Sequence, residues 1–202
     1  MTRDEARRWI AERFDQERVA KLDAFEAMLR TEAAVQNLIA PSTLDHIWVR
    51  HFADSAQLLD CAPGGGKWLD IGSGAGLPGI VLAILNDAPV ELVEPRALRT
   101  AFLRNVVTSL ELTNATVVTA KVERTAGIAN IVTARAVSNV SDLFHRARHR
   151  TDKSTIWILP KGRNAETEVA IARHAWHGVF HVKPSLTAPD SLIVVAQGIR
   201  PK

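Results

Sequence analysis

A short apolar run ending in three alternating glycines restricts this chain more than any other feature. Trp68-Leu69-Asp70-Ile71 reads as a buried strand, and it passes directly into Gly72-Ser73-Gly74-Ala75-Gly76-Leu77-Pro78-Gly79. Glycines let a backbone turn sharply and approach a ligand closely, and the helix N-terminus behind them offers free N–H groups. Pro78 falls near the first turn of that helix, where its missing N–H costs nothing. A strand, a glycine turn and a helix in that order predict an open α/β sheet with a ligand at its strand ends. The plainer alternative is a loop rich in glycine only because strand and helix pack tightly.

Two cofactor fingerprints overlap in this loop. Gly74-x-Gly76-x-x-Gly79 has the dinucleotide spacing, with Glu94 twenty residues after Gly74. Gly72-x-Gly74-x-Gly76, with Asp70 two residues upstream, has the spacing of an S-adenosylmethionine site. Asp70 favours the second, because a strand-end carboxylate suits the amino group of a methionine tail and would repel a pyrophosphate. The dinucleotide register would also begin too far beyond the strand end. Glu94 closes the second strand and can accept both ribose hydroxyls; otherwise it is an exposed cap before Pro95. Val122-Glu123 follows the third strand, where methyltransferases bind adenine.

The remaining pattern extends the fold. Strands are predicted at 68–71, 90–93, 116–119, 131–134, 155–159, 179–182 and 192–196, with helices at about 77–85, 97–110, 122–126, 140–148 and 165–176. Such alternation implies right-handed crossovers and a mostly parallel sheet. Only Pro184 to Asp190 separates the last two strands, so they are expected to pair as a hairpin. A terminal hairpin is the class I methyltransferase ending, and a third point against a plain dinucleotide domain. Residues 1–62 read as an N-terminal helical extension and 63–202 as one Rossmann-like unit with seven strands. Thr2 and Glu5 make a capping box, and Val19, Leu22, Phe25 and Leu29 recur at helical spacing. A break is expected over 37–42, then a helix from Leu44 to about Leu59, before Pro63-Gly64-Gly65-Gly66 punctuates the chain.

Composition narrows the setting. Hydrophobic residues make up 47% of the chain, enough for a core, and no apolar run approaches the ~20 residues of a membrane span. The charged stretch Met1 to Arg8 does not lead into a signal-peptide core, and the lone Cys61 fits a reducing compartment, so a cytoplasmic location is expected, with a monomer as the default. A net charge of +3 permits nucleic-acid binding without requiring it. The basic residues cluster at Arg96/Arg99/Arg104, at Arg146/Arg148/Arg150/Lys153 and at Lys161/Arg163. Any one cluster is readily a solvated helix face; three near strand ends would suit phosphates. His145/His149 and His174/His177 have metal-like spacing but no accompanying cysteine or carboxylate cluster, so no metal is expected. Gly64-Gly65-Gly66-Lys67 is not a P-loop, since Trp68 replaces the required hydroxyl residue.

Taken in order, several blocks resemble the bacterial small-subunit ribosomal RNA methyltransferase G family. They are Asn37-Leu38, Val49-Arg50-His51-Phe52-Ala53-Asp54-Ser55, the stretch from Leu69 to Ile80, Phe102-Leu103, Val122-Glu123, Ala134-Arg135-Ala136 and Lys161-Gly162. The Leu77-Pro78-Gly79 extension together with the Arg-His-x-x-Asp-Ser block is more specific than the glycines alone. The resemblance implies that Gly72, Leu77, Val122, Glu123 and Arg135 contact the cofactor. It also implies a substrate, the N7 atom of guanine 527 in 16S ribosomal RNA, free or in the 30S subunit. Asn130 stands where the family usually carries an acidic residue, which could weaken support of the fourth strand.

Guanine N7 has a lone pair and no proton, so it needs no general base. That agrees with Ala134-Arg135-Ala136-Val137-Ser138-Asn139, which lacks the Asn/Asp-Pro-Pro-aromatic motif of amino-group methyltransferases. Cytosine C5 chemistry would need a cysteine nucleophile, and Cys61 precedes the first strand. Arg135 is expected in the cleft, as the one catalytic candidate, or else as a surface cation. Arg50 and His51 are candidates for RNA contact, with local pairing to Asp54 and Ser55 as the alternative. Lys161 and Arg163 would grip phosphates, and a Trp or Phe could stack on a splayed guanine. A methyltransferase for another RNA, a protein or a small molecule is the second reading, and an NAD(P)-dependent oxidoreductase the third.

Overall fold

The computed structural model describes residues 1–62 and 64–202, with Pro41 described by its backbone alone. Pro63, first of the expected Pro-Gly-Gly-Gly punctuation, lies outside the described residues. Seven strands form one sheet: β1 (Trp68–Ile71), β2 (Val90–Val93), β3 (Ala115–Val118), β4 (Ile131–Thr133), β5 (Ile156–Lys161), β6 (Trp176–Pro184) and β7 (Leu192–Pro201). Their order is β3-β2-β1-β4-β5-β7-β6, with β1 to β5 parallel and β7 antiparallel to both neighbours. The predicted sheet with a terminal hairpin is therefore present. The chain leaves β1 toward β2 on one side and takes up β4 on the other. This is the switch point where open α/β sheets bind ligands.

Helices cover both faces. Two of them, α1 (Arg3–Ala11) and α2 (Gln16–Ala33), precede α3 (Asp54–Ala56), α4 (Gly79–Leu85) and α5 (Ala97–Ser109); α6 (Val140–Ala147) and α7 (Ala165–Ala175) follow. Ile10, Leu22, Phe25, Leu29, Trp48 and Phe52 share one hydrophobic cluster with Trp68, Ile80, Leu82 and Ile158. The N-terminal helices thus form part of the cover of one sheet face. On the other face Phe144, Trp157, Trp176 and Phe180 pack together, with Phe144 edge-on to Trp157 at 4.8 Å. The capping box is formed: Thr2 accepts from the Glu5 N–H and Glu5 accepts from the Thr2 N–H. No helix among the described residues is long and apolar enough to cross a membrane.

Four expectations change. The helix expected from Leu44 to Leu59 is a chain of unlike turns: 3-10 over Pro41–His46, π over Trp48–Ala53, then α3, then 3-10 over Gln57–Cys61. The Arg50 carbonyl within the π-turn accepts from Arg135 at 3.1 Å. The segment expected to be helical over 122–126 is a single 3-10 turn, Val122–Arg124. Trp176 opens β6 rather than ending α7, because its indole packs on Phe144 and donates to Ser141 Oγ while the ladder to β7 reaches Pro201. Both hairpin strands outrun the prediction, with a bulge at Gly178 masking the alternation. Asn130 keeps the β1–β4 junction tied, since its Oδ1 accepts from the Lys67 N–H at 2.8 Å.

Candidate active site

The glycine turn is built by its own backbone. Ser73 O accepts from Gly76 N and Leu77 N, Ser73 Oγ returns to Asp70 O, and Gly72 has a φ of +69°, where a β-carbon is strained. A β-carbon on Gly72 would also stand 2.7 Å from Val137 Cγ2. Leu77 is buried and packs into the core below. Asp70 is fully enclosed; its Oδ2 accepts from Gly79 N at 3.2 Å, and its Oδ1 has no partner among the described residues. The predicted meeting of Asp70 with a methionine amine has no open path here: the carboxylate anchors the far end of the loop from beneath. Burial pushes the Asp70 carboxyl up to about 7.

Beside the turn lies a cleft of about 220 Å³, walled by Gly72, Val93, Glu94, Pro95, Val122 and Val137. Glu94 is buried, not an exposed cap; Oε2 accepts from Gly74 N at 3.1 Å and Oε1 from Arg96 N at 2.9 Å. Val122 faces this cleft, whereas the Glu123 carboxylate turns to Arg146 at 2.7 Å. Arg96, Arg99, Lys121 and Arg146 stand at the rim. A carboxylate between apolar walls suits a nucleoside, with the diol on Glu94 and the base among Val93, Val122 and Val137.

A larger cavity of about 670 Å³ opens on the other side of the loop after β4. Ala136 and Val137 line both spaces and form the wall between them. Arg135, Arg50, His51, Asp54, Lys161 and Glu168 line the larger one. Arg135 Nη1 donates to Arg50 O at 3.1 Å and to His51 Nδ1 at 3.0 Å, and lies 3.7 Å from Asp54 Oδ2. A guanidinium only donates, so His51 Nδ1 is the acceptor and its proton sits on Nε2, which donates to Thr43 Oγ1 at 3.1 Å. Burial, helped by the Arg135 charge, pushes the imidazole down to about 3, so it is neutral. Burial also lowers the Arg135 value, against the pull of Asp54 and Asp70.

Other expected residues divide. Arg163 is exposed and only 3.6 Å from Asp190, while Lys161 is turned inward onto Ser138 O and Glu168. His51 bonds to Arg135 and Thr43, not to Ser55, so the local pairing alternative is absent for it. No Trp or Phe among the described residues lines the larger cavity; four tryptophans are core and Trp9 lies under Arg13. The basic cluster after 145 does not act as one patch. Arg146 is at the cleft, Arg148 is exposed, and Arg150 is buried against Glu91 at the opposite end of the sheet. Asp54, Thr43, Val137 and Glu168 were not singled out as site residues, because only the π-turn and the crossovers bring them there.

Comparison with known proteins identifies the family and the fold. A family model described as GidB, rRNA small subunit methyltransferase G, matches residues 18–187. A ribosomal RNA small subunit methyltransferase G from Sphingopyxis alaskensis is 45% identical, covering 98% of this chain and 87% of that protein. Its counterpart from Zymomonas mobilis is 42% identical, covering 100% of this chain and 96% of that protein. Among solved structures, a SAM-dependent methyltransferase from Aquifex aeolicus has a TM-score of 0.61 at 13% identity, over 82% of this chain and 96% of that one. A glycopeptide N-methyltransferase complexed with S-adenosylmethionine has a TM-score of 0.56 at 11% identity, over 71% of this chain and 92% of that one. The fold is thus that of the class I methyltransferases, and the chain belongs to the rRNA small subunit methyltransferase G family.

Proposed function

We propose that this methyltransferase moves the methyl group of S-adenosylmethionine to N7 of guanine 527 in 16S ribosomal RNA, acting as a cytoplasmic monomer on free RNA or the 30S subunit. The observation that carries the proposal is the pair of cavities sharing the Ala136–Val137 wall at the strand ends. Glu94 would take the ribose diol, Gly72, Gly74 and Gly76 would let the backbone approach the cofactor, and Val122 would bear on the adenine. Asp70 and Leu77 would shape that loop from below, and Glu123 would contribute through its backbone at the adenine edge. The bound cofactor supplies an electrophilic methyl on a sulfonium, and displacement there depends on alignment and a site suited to moving positive charge.

The larger cavity suits an acceptor that carries no proton to remove. His51 Nδ1 is occupied by Arg135, Glu168 by Lys161, and Asp54 Oδ1 by Gln57, Ser185 and Thr187. None is a free base, and guanine N7 needs none. Arg135 would face the guanine from the wall, with Arg50 and Arg163 meeting RNA phosphates. We also propose that residues 1–62 are an extension folded onto the 63–202 unit, forming one side of the acceptor cavity through Arg50 and His51.

Labelled methyl transfer to unmethylated 30S particles, free 16S RNA and small metabolites tests the reading. Label on N7 of one guanine in RNA is expected. Label confined to metabolites or protein would favour the second reading, and absence from every RNA species would overturn the substrate.

A further inference from the structure

The wall between the two cavities is a loop held at its two ends by different side chains. Arg135 fixes its start against Arg50 and His51. At its end, Lys161 Nζ donates to Ser138 O at 2.5 Å and pairs with Glu168 Oε2 at 2.9 Å, while the same Oε2 accepts from Val140 N at 3.0 Å. A single ion pair thus grips peptide groups on both sides of Asn139. Between the anchors, Ala136 is held at a φ of +56° and Val137 presses on Gly72. A left-handed non-glycine residue costs roughly 1–2 kcal/mol, so this conformation persists only where its surroundings enforce it. Asn139 caps α6 independently by accepting from Asp142 N, so the helix does not depend on the ion pair.

We propose that Lys161 and Glu168 are positioning residues that strap the 135–139 loop and so set the separation between cofactor and acceptor. The proposal rests on the two-cavity reading above. It assigns Lys161 a role inside the wall, since its side chain is only 10% exposed and its ammonium is engaged. A phosphate-gripping lysine would behave differently. It would weaken RNA binding and lower the slope of log K against log salt by about one, without changing the turnover of bound substrate.

Lys161→Met, Lys161→Arg and Glu168→Gln distinguish the roles. Displacements of ~1 Å at reacting centres cost up to ~100-fold. Lys161→Met is therefore expected to lower kcat roughly 10- to 100-fold, with KM for RNA and its salt slope unchanged. Lys161→Arg should recover part of that loss. Glu168→Gln keeps an acceptor for Val140 and should lose less, with faster amide exchange in the loop residues before Val140. A reduced salt slope with kcat retained would overturn the proposal, as would unchanged loop exchange in both Lys161→Met and Glu168→Gln. The exchange measurement needs no acceptor, so a parent enzyme that methylates no RNA would sink the substrate reading and leave the strap to be judged separately.

Discussion

Asp70 has no exposed surface, and its register partner on β4 is Thr133, whose Oγ1 is likewise buried without a partner among the described residues. Burial raises the Asp70 carboxyl from 3.8 to about 7, so the folded state favours the neutral acid. Because the folded value is the higher one, the associated stability is complete below about pH 4 and is lost as the pH rises through 7. Asp70→Asn removes the titration. Its melting temperature relative to the parent is expected to rise between pH 5 and pH 8, and a difference constant across that range would contradict the assignment. Gly79 shows the same closeness from the other side: a β-carbon there would meet Leu92 and the Asp70 carboxylate. The glycine that completes the dinucleotide spacing is thus required by packing.

At the scale of elements, the π-turn and the β6–β7 connection meet at Asp54. Its Oδ1 accepts from Gln57 Nε2 at 3.0 Å, Ser185 Oγ at 3.2 Å and Thr187 Oγ1 at 2.9 Å, while Gln57 Oε1 accepts from Leu186 N. These bonds fasten the turn after β6 to the helical segment before β1 and close one side of the larger cavity. A buried hydrogen bond to a charged group contributes about 1.5–3 kcal/mol, so losing three together should free the turn. Asp54→Ala is expected to make residues 185–191 sensitive to limited proteolysis while the far-ultraviolet dichroism stays the same. Protection equal to the parent would mean that the turn holds itself. The Arg-His-x-x-Asp-Ser block was visible in the sequence, but two partners of Asp54, Ser185 and Thr187, lie more than 120 residues away.

For the molecule as a whole, the end of the sheet opposite the site is closed by charge. Arg150 has no exposed side-chain surface, pairs with Glu91 at 3.0 Å and donates to Gly127 O and Thr125 Oγ1; Lys67 reaches the same Glu91 at 2.6 Å. Removing one member of a buried pair costs roughly 3–5 kcal/mol because a desolvated charge remains. Arg150→Met is expected to lower the unfolding free energy obtained from urea titration by an amount in that range, without altering S-adenosylhomocysteine affinity at the distant cleft. A loss below about 1 kcal/mol would show that Lys67 alone satisfies Glu91. The two faces depend on different parts of the chain, since one cluster needs the N-terminal helices and the other the C-terminal hairpin.

The glycine spacing, the alternation of strands and helices, and the short link between the last two strands are local patterns. Backbone geometry and hydrophobic period determine them without distant partners, so β1, β2 and the parallel crossovers were legible in residues 68–161. The Leu77-Pro78-Gly79 and Arg-His-x-x-Asp-Ser blocks likewise marked the family. Tertiary structure alone decided that Asp70 faces inward, that Lys161 serves Ser138 and Glu168, and that Arg150 is buried apart from its basic neighbours. It also decided that the segment after Leu44 includes a π-turn and that Arg135 donates to the Arg50 carbonyl within it. In each case the outcome depends on which charges and carbonyls lose water together, and that is set by contacts between residues far apart in the chain.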